Sequence, residues 1–258
     1  MKRIFIGALS LAALLSFASC TKKAQVVINS VDDLVGKKVG CQAGTTGEMY
    51  LTDELENVDI HSFKTGIDAS LSLKNGAIDA VVLDELPAKE IVKKNPELKI
   101  LDIPFAEEEY AIAVRKGDTA LLNSINKTIN TMKADGSYDA LRNAFMPTDG
   151  SDIKIPAEIT SSASEIIKMG TNASFPPFEY IEGTSIVGFD VTFSQYVARD
   201  YGKKLQIVDM NFDGLIAALQ SSSIDFIAAG MTATDERRQN VDFSDPYYSS
   251  RQVIIVRK

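Results

Sequence analysis

Arg237, Asp84 and the run Gly44-Thr45-Thr46-Gly47 combine residue types and settings suited to recognising charge. A guanidinium offers paired donors that match a planar carboxylate. Thr234-Asp235-Glu236-Arg237 reads as a helix start with Thr234 as N-cap, which sets Arg237 in the first turn. The competing reading is a surface arginine in a salt bridge, the role expected of Arg238 beside it. The Gly44–Gly47 run stands before a helical stretch and offers free backbone N–H groups at a positive helix end, or else it is only a turn. Asp84 closes the apolar run Ala80-Val81-Val82-Leu83. A carboxylate there lies where open α/β sheets place ligands, unless it serves only as the N-cap of the helix from Glu85 onward.

Other chemistries find no support. The chain has no nucleophile elbow, P-loop or dinucleotide fingerprint. His61, the only histidine, sits in Asp59-Ile60-His61-Ser62-Phe63 with one acidic neighbour, so a structural role is expected and neither a metal nor a cofactor. Cys41, in Lys38-Val39-Gly40-Cys41-Gln42, suits a small core residue. Cys20 is the only other cysteine, which leaves no disulfide framework.

The elements that must position these groups alternate almost throughout. Strands are expected at 37–42, 78–83, 98–103 and 110–114, with helices at 46–55, 69–74, 85–94, 121–133 and 138–145. The second half continues with strands at 166–170, 204–208, 224–229 and 252–256 and helices at 189–201 and 212–221. Such alternation implies an α/β fold with mostly parallel strands. The polar stretch 147–164, with two prolines and no helical period, reads as a linker.

The start of the chain bears on location. Lys2 and Arg3 precede an apolar run too short to span a bilayer, then Ala18-Ser19-Cys20, the layout of a secretory signal. It resembles a bacterial lipoprotein signal over 1–19, with Cys20 acylated and 20–25 as a tether, although Phe17 stands where Leu is usual. Removing 1–19 takes away two basic residues and no acidic one, moving the formal charge from −8 to −10. That balance argues against nucleic acid and against broad electrostatic membrane binding.

Several stretches together resemble the polar amino-acid-binding proteins of ABC importers, bacterial extracellular solute-binding proteins of family 3 with a type II periplasmic-binding fold. They are Gly170-Thr171-Asn172-Ala173-Ser174-Phe175-Pro176-Pro177-Phe178-Glu179-Tyr180, Val187-Gly188-Phe189-Asp190-Val191 and Gly230-Met231-Thr232-Ala233-Thr234-Asp235-Glu236-Arg237-Arg238. The other half adds Asp33-Leu34-Val35-Gly36-Lys37-Lys38-Val39-Gly40, the Gly44–Gly47 run, Ile78-Asp79-Ala80-Val81-Val82-Leu83-Asp84 and Lys133-Ala134-Asp135-Gly136-Ser137-Tyr138. Their order differs from ordinary members, in which the Gly170 segment comes first and the Lys133 segment last. The resemblance thus implies a circularly permuted Venus-flytrap fold of two α/β lobes on two hinge strands. The second lobe would be 26–108 completed by 251–258, the first 109–146 and 165–250, and 147–164 would join the family's usual ends.

The same resemblance implies the site. A free L-amino acid is a zwitterion and needs an anion socket and a cation socket close together. Arg237 would hold the carboxylate with Thr46 from the opposite lobe. Asp84 would take the ammonium with the Gly230 carbonyl and the Thr232 hydroxyl. Phe175 and Phe212 would sandwich the side chain, unless they are simply core, and Asn172 and Gln42 would meet its far end. Asn172 stands where binders of basic residues often carry Asp, so a neutral polar ligand such as glutamine, or else arginine, is expected. The partners implied are an ABC permease and, through Cys20, a membrane; the protein would be a monomer and not an enzyme. The rival from another class is a cyclohexadienyl or arogenate dehydratase-like enzyme on the same fold, with Glu48 as candidate acid. A ligand-sensing domain is the third reading.

Overall fold

The computed structural model describes residues 27–103 and 106–258. The expected signal and the whole of the tether, Cys20 included, lie outside the described residues.

The chain first builds β1 (Lys38–Gln42), α1 (Thr46–Asp53), β2 (Asp59–Phe63), α2 (Gly66–Lys74), β3 (Ala80–Asp84), α3 (Glu85–Lys94) and β4 (Leu98–Ile100). Strand β5 (Glu107–Tyr110) carries it across to β6 (Ala113–Arg115), α4 (Thr119–Asp135) and α5 (Ser137–Phe145). Then come β7 (Ile166–Thr171), a small sheet of β8 (Ser174–Phe175), β9 (Glu179–Glu182) and β10 (Ser185–Val187), α6 (Phe189–Asp200) and β11 (Lys204–Asp209). Helix α7 (Leu215–Gln220), β12 (Phe226–Ile227), α8 (Asp235–Arg238), β13 (Val241–Phe243) and the long β14 (Tyr248–Arg257) close the chain.

Two main sheets result, one per lobe. The first runs β2-β1-β3-β14-β4, with β5 also paired to β14; the second runs β11-β7-β12-β6-β13. The continuous apolar runs explain the central strands: all five residues of β3 are buried, as in a strand covered on both faces. Strand β14 changes character along its length. Its first four residues alternate between half-buried and exposed, and the next five are all buried, where it passes from the hinge into the sheet. Helix α4 buries Leu121, Ile125, Thr128, Ile129 and Met132, the spacing of one helical face. Asp118 caps its start and Gly136, at φ +81, ends it in the left-handed conformation.

Parallel pairing is narrower than the alternation of elements suggests. Among the described residues only β2-β1-β3 and β11-β7-β12 pair in parallel, and every other strand pair is antiparallel. Helical crossovers return the chain to the same end of a sheet, whereas β5–β6 and β14 arrive from the other lobe and run the opposite way. The single strand expected at 110–114 is two strands for the same reason: β5 ends at Tyr110 in one sheet and β6 begins at Ala113 in the other. The strand expected at 224–229 pairs only at Phe226 and Ile227, because the chain then turns into the cleft. The helix expected at 212–221 opens with a 3-10 turn, Phe212–Gly214, before α7.

Residues 147–164 contain no helix or strand. They lie along the first lobe through Lys154 N–H to the Ala144 carbonyl, 2.9 Å, and Ile159 N–H to Gln195 Oε1, 3.0 Å. The lobes meet at β5 and β14, where Tyr110 faces Tyr248 and Glu108 faces Ser250. Aromatic rings brace this crossing: Phe178 lies 4.9 Å from Tyr248 and 5.2 Å from Tyr110, centroid to centroid. Each such pair contributes about 0.5–1.5 kcal/mol beyond its area.

Candidate functional site

The cleft between the lobes is lined by Gln42, Thr45, Thr46, Asp84, Asn172, Phe175, Glu179, Phe212, Ala229, Gly230, Thr232 and Arg237. All nine ligand-site positions expected from sequence are among them. The walls are close, leaving a free volume of about 10 Å³, room for about one water. A larger hollow of about 1100 Å³, between α3, α5 and 146–153, is an open groove with scattered rim charges and lies apart from these residues.

Local sequence explains each placement. Thr234 caps α8 by accepting from the Arg237 N–H, 3.2 Å, which turns the Arg237 side chain inward. Arg237 is 4 % exposed, and burial lowers the pKa of its guanidinium. Its Nη1 donates to the Thr232 carbonyl and its Nη2 to the Gly44 carbonyl, both 2.8 Å, and its centre lies 5.5 Å over the Phe212 ring. Among the described residues it has no ion-pair partner. A buried, unpaired guanidinium is a socket for an anion. Arg238 differs from its expected salt bridge: it is exposed and stacks over Phe243 at 5.4 Å, with no carboxylate in ion-pair range among the described residues.

Asp84 takes the N-cap position of α3, yet its side chain makes no capping bond. Instead Tyr110 Oη donates to its Oδ1, with Ser250 Oγ 3.5 Å away. Burial first, and the charge of Glu108 second, raise the Asp84 pKa. Among the described residues no cation lies in ion-pair range of this carboxylate, which lines the cleft.

Opposite lobes touch at one further point given by side chains of the cleft. Gln42 Nε2 donates to Asn172 Oδ1 at 2.9 Å, while Asn172 Nδ2 is held by the Met210 carbonyl at 2.8 Å. Thr46 opens α1, so its N–H has no intrahelical acceptor. Phe175 and Phe212 are nearly buried but still line the cleft. Gly230 sits at φ +53, its N–H donating to Asp190 Oδ2 at 2.9 Å. A Cβ there would stand 2.7 Å from Phe175 Cε1.

Sequence reasoning did not single out Thr45, Ala229, Glu179, Glu108 or Tyr110. Glu179 lies inside a quoted motif and is fully buried with neither carboxylate oxygen hydrogen-bonded. Burial, then the charge of Asp190, hold its pKa well above the usual carboxylate range. Asp190 is pushed up to about 6 by burial, opposed by bonds from Tyr247 Oη, 2.6 Å, and the Gly230 N–H.

Glu48, the acid considered for an enzyme, does not reach the cleft. Its Oε2 accepts from the Gly44 N–H at 2.7 Å and its Oε1 is bonded by the Ser62 hydroxyl. His61 Nε2 lies 3.3 Å from Asp59 Oδ1, and no metal-ligating group of His, Cys, Asp and Glu occurs among the described residues. Cys41 is buried, which pushes its thiol up to about 12. Among the described residues no helix is long and apolar enough to cross a membrane.

A family model, bacterial extracellular solute-binding proteins of family 3, matches residues 15–148 and 167–258. The arginine-binding extracellular protein ArtP of Bacillus subtilis is 43 % identical over 99 residues, 38 % of this chain and 39 % of that protein. A probable histidine-binding protein of Campylobacter jejuni is 44 % identical over 89 residues, 34 % and 35 % of the two chains. The L-cystine-binding protein TcyJ of Escherichia coli is 36 % identical over 123 residues, 47 % and 46 %. The chain thus spans less than half the length of each of these relatives. Among solved structures, the arginine-bound form of a truncated ArgBP from T. maritima is 50 % identical over 32 % of this chain and 40 % of that one, with a TM-score of 0.32.

Proposed function

The chain belongs to the bacterial extracellular solute-binding proteins of family 3, and from that premise we propose that it closes its lobes around a free L-amino acid for delivery to an ABC permease. The observation that carries this reading is the pairing of a buried guanidinium without an ion-pair partner, Arg237, and a buried carboxylate without a cation, Asp84, in one cleft. A zwitterion satisfies both at once, its carboxylate on Arg237 and Thr46 and its ammonium on Asp84, Thr232 and the Gly230 carbonyl. Phe175 and Phe212 would flank the side chain, with Asn172 and Gln42 at its end. The small free volume supports a closing mechanism, since an amino acid enters only when the lobes part at β5 and β14.

L-glutamine and L-arginine are the candidate ligands. Relatives named for arginine, histidine, cystine and glutamine agree with that class. The candidate acid of an enzymatic reading, Glu48, is engaged outside the cleft, so binding without turnover is the reading the geometry favours.

The reading includes circular permutation. Its support is that the family match breaks at 149–166, within the stretch that overlaps the irregular segment 147–164. The described second lobe begins at residue 27, and Ile28 packs in the same cluster as Val256. A lipid on Cys20 would thus tether the protein, as a monomer, through its second lobe.

The test is mass spectrometry of the small molecule that co-purifies with the full chain, followed by calorimetry over the twenty amino acids. Micromolar or tighter binding of glutamine or arginine is expected; no binding by any amino acid overturns the proposal.

A further inference from the structure

Beside the ammonium socket lies a third acid. Glu108 is on the hinge strand β5, is 4 % exposed, and takes hydrogen bonds from both sides of the hinge. Its Oε2 accepts from Thr232 Oγ1 at 3.1 Å and from Gln252 Nε2, on β14, at 3.2 Å. Its Oε1 is buried and has no hydrogen-bond partner among the described residues, and neither has Gln252 Oε1. The flanking Glu107 and Glu109 are exposed, so the pleat of β5 alone turns Glu108 inward.

We infer that Glu108 is a positioning residue of the ammonium socket: its hydrogen bond fixes the Thr232 hydroxyl so that the oxygen lone pairs face the ligand's ammonium, and its bond from Gln252 anchors it across β5 and β14. The inference rests on the amino-acid reading given above. A threonine hydroxyl has one proton, and here Glu108 takes it. The oxygen lone pairs are left for a donor in the cleft, which an ammonium is and a carboxylate is not.

The second effect is electrostatic. Asp84 feels Glu108 in a buried setting, and together they disfavour two charges side by side. The other titratable groups bearing on this pair are few. They are Tyr110 on β5, Tyr50 on α1, Arg237 on α8 and Glu179 on β9, with Glu236 acting on Arg237. Arg237 is the only cation among them, and the proposed function commits it to the ligand carboxylate. The ligand ammonium then supplies the missing positive charge, and the Asp84 proton leaves to solvent. Affinity for the zwitterion should rise with pH through the range in which free Asp84 loses its proton, and then level off.

Calorimetry of the full chain with L-arginine and L-glutamine, between pH 5 and 8 in buffers of different ionisation enthalpy, tests this. Wild type should release a measurable fraction of a proton per ligand near pH 7. Glu108→Gln should release less, shift its affinity profile to lower pH, and bind about tenfold more weakly where the profiles level off. Glu108→Asp should restore the wild-type slope in part. Thr232→Val should cost less affinity in the Glu108→Gln background than in wild type, because the two act together. Glu108→Gln with unchanged affinity, profile and proton count, or Thr232→Val with the same cost in both backgrounds, overturns the inference while leaving the amino-acid reading intact. Should Glu108→Gln fail to fold, the same comparison with Glu108→Asp decides alone. Wild type that binds neither probe nor any other amino acid overturns both.

Discussion

Arg237 in the first lobe and Gly44 in the second are joined by a 2.8 Å hydrogen bond from Nη2 to the carbonyl oxygen. The side chain proposed to hold the ligand carboxylate is therefore also a latch between the lobes. Ligand contact and closure share one group, so a ligand that engages Arg237 acts directly on the open–closed balance.

Arg237→Ala should lower affinity sharply. Truncating one member of a buried, hydrogen-bonded charge pair costs about 2–5 kcal/mol, a fall of ~30-fold to several thousandfold. Arg237→Lys keeps the charge but loses the fork, and should fall between the two. The ligand-free protein should melt within a few degrees of wild type in Arg237→Ala, because removing a buried cation that has no ion-pair partner offsets the loss of its two hydrogen bonds. Calorimetry and thermal melts check both halves; unchanged affinity would remove Arg237 from the site.

Asp190 gives stability a pH signature. Its folded pKa of about 6 lies above the ordinary 3.8, so between these values the folded state binds more protons than the unfolded. Stability of the ligand-free protein should therefore decline as pH rises from about 4 to 6. Glu179, raised also, contributes with the same sign. Asp190→Asn should flatten the decline, as measured by urea midpoints across that range. A midpoint that rises with pH in wild type would contradict the buried acid pair.

Much of the candidate site was legible because its residues sit at strand ends and helix starts, where short motifs carry their own geometry. Thr234 before Arg237 is one case. Asp84 after an apolar run is another, although only the structure separates N-cap position from capping function. The crossing at Tyr110–Ala113 was not legible, since the apolar pattern continues while the chain changes sheets. Glu108 was hidden in Glu107-Glu108-Glu109, which looks like a solvated charge run until pairing with β14 buries its middle member. The small sheet from Ser174 to Val187 was hidden by its short strands and intervening prolines.

Gly230→Ala should damage both stability and binding. The residue is at φ +53, which costs an L side chain about 1–2 kcal/mol, and its Cβ would meet Phe175 Cε1 at 2.7 Å and Tyr110 Cε2 at 3.3 Å. Both neighbours border the cleft, so relief of the clash moves the proposed ligand wall. A melting temperature lower by about 5 °C and at least tenfold weaker binding are expected. A variant that melts and binds as wild type would show that the wall is not rigid.

Chain order is the last matter open to test. If the lobes are a permuted arrangement, the fold should not depend on where the chain is cut. A chain that begins at Glu165, ends at Met146 and joins Lys258 to Val27 by a short Gly/Ser segment removes the irregular stretch 147–164 altogether. That stretch contributes no helix or strand, and the new join is short because Ile28 and Val256 share one core cluster. Loop-closure entropy changes slowly with length, so the cost should be on the order of 1 kcal/mol. The rejoined chain should bind the same amino acid within about threefold of the original and show the same far-ultraviolet circular dichroism. Loss of binding in a folded product would mean that 147–164 helps to set the approach of the lobes. Failure to fold would mean that the present order is itself required, and the permutation reading would fall.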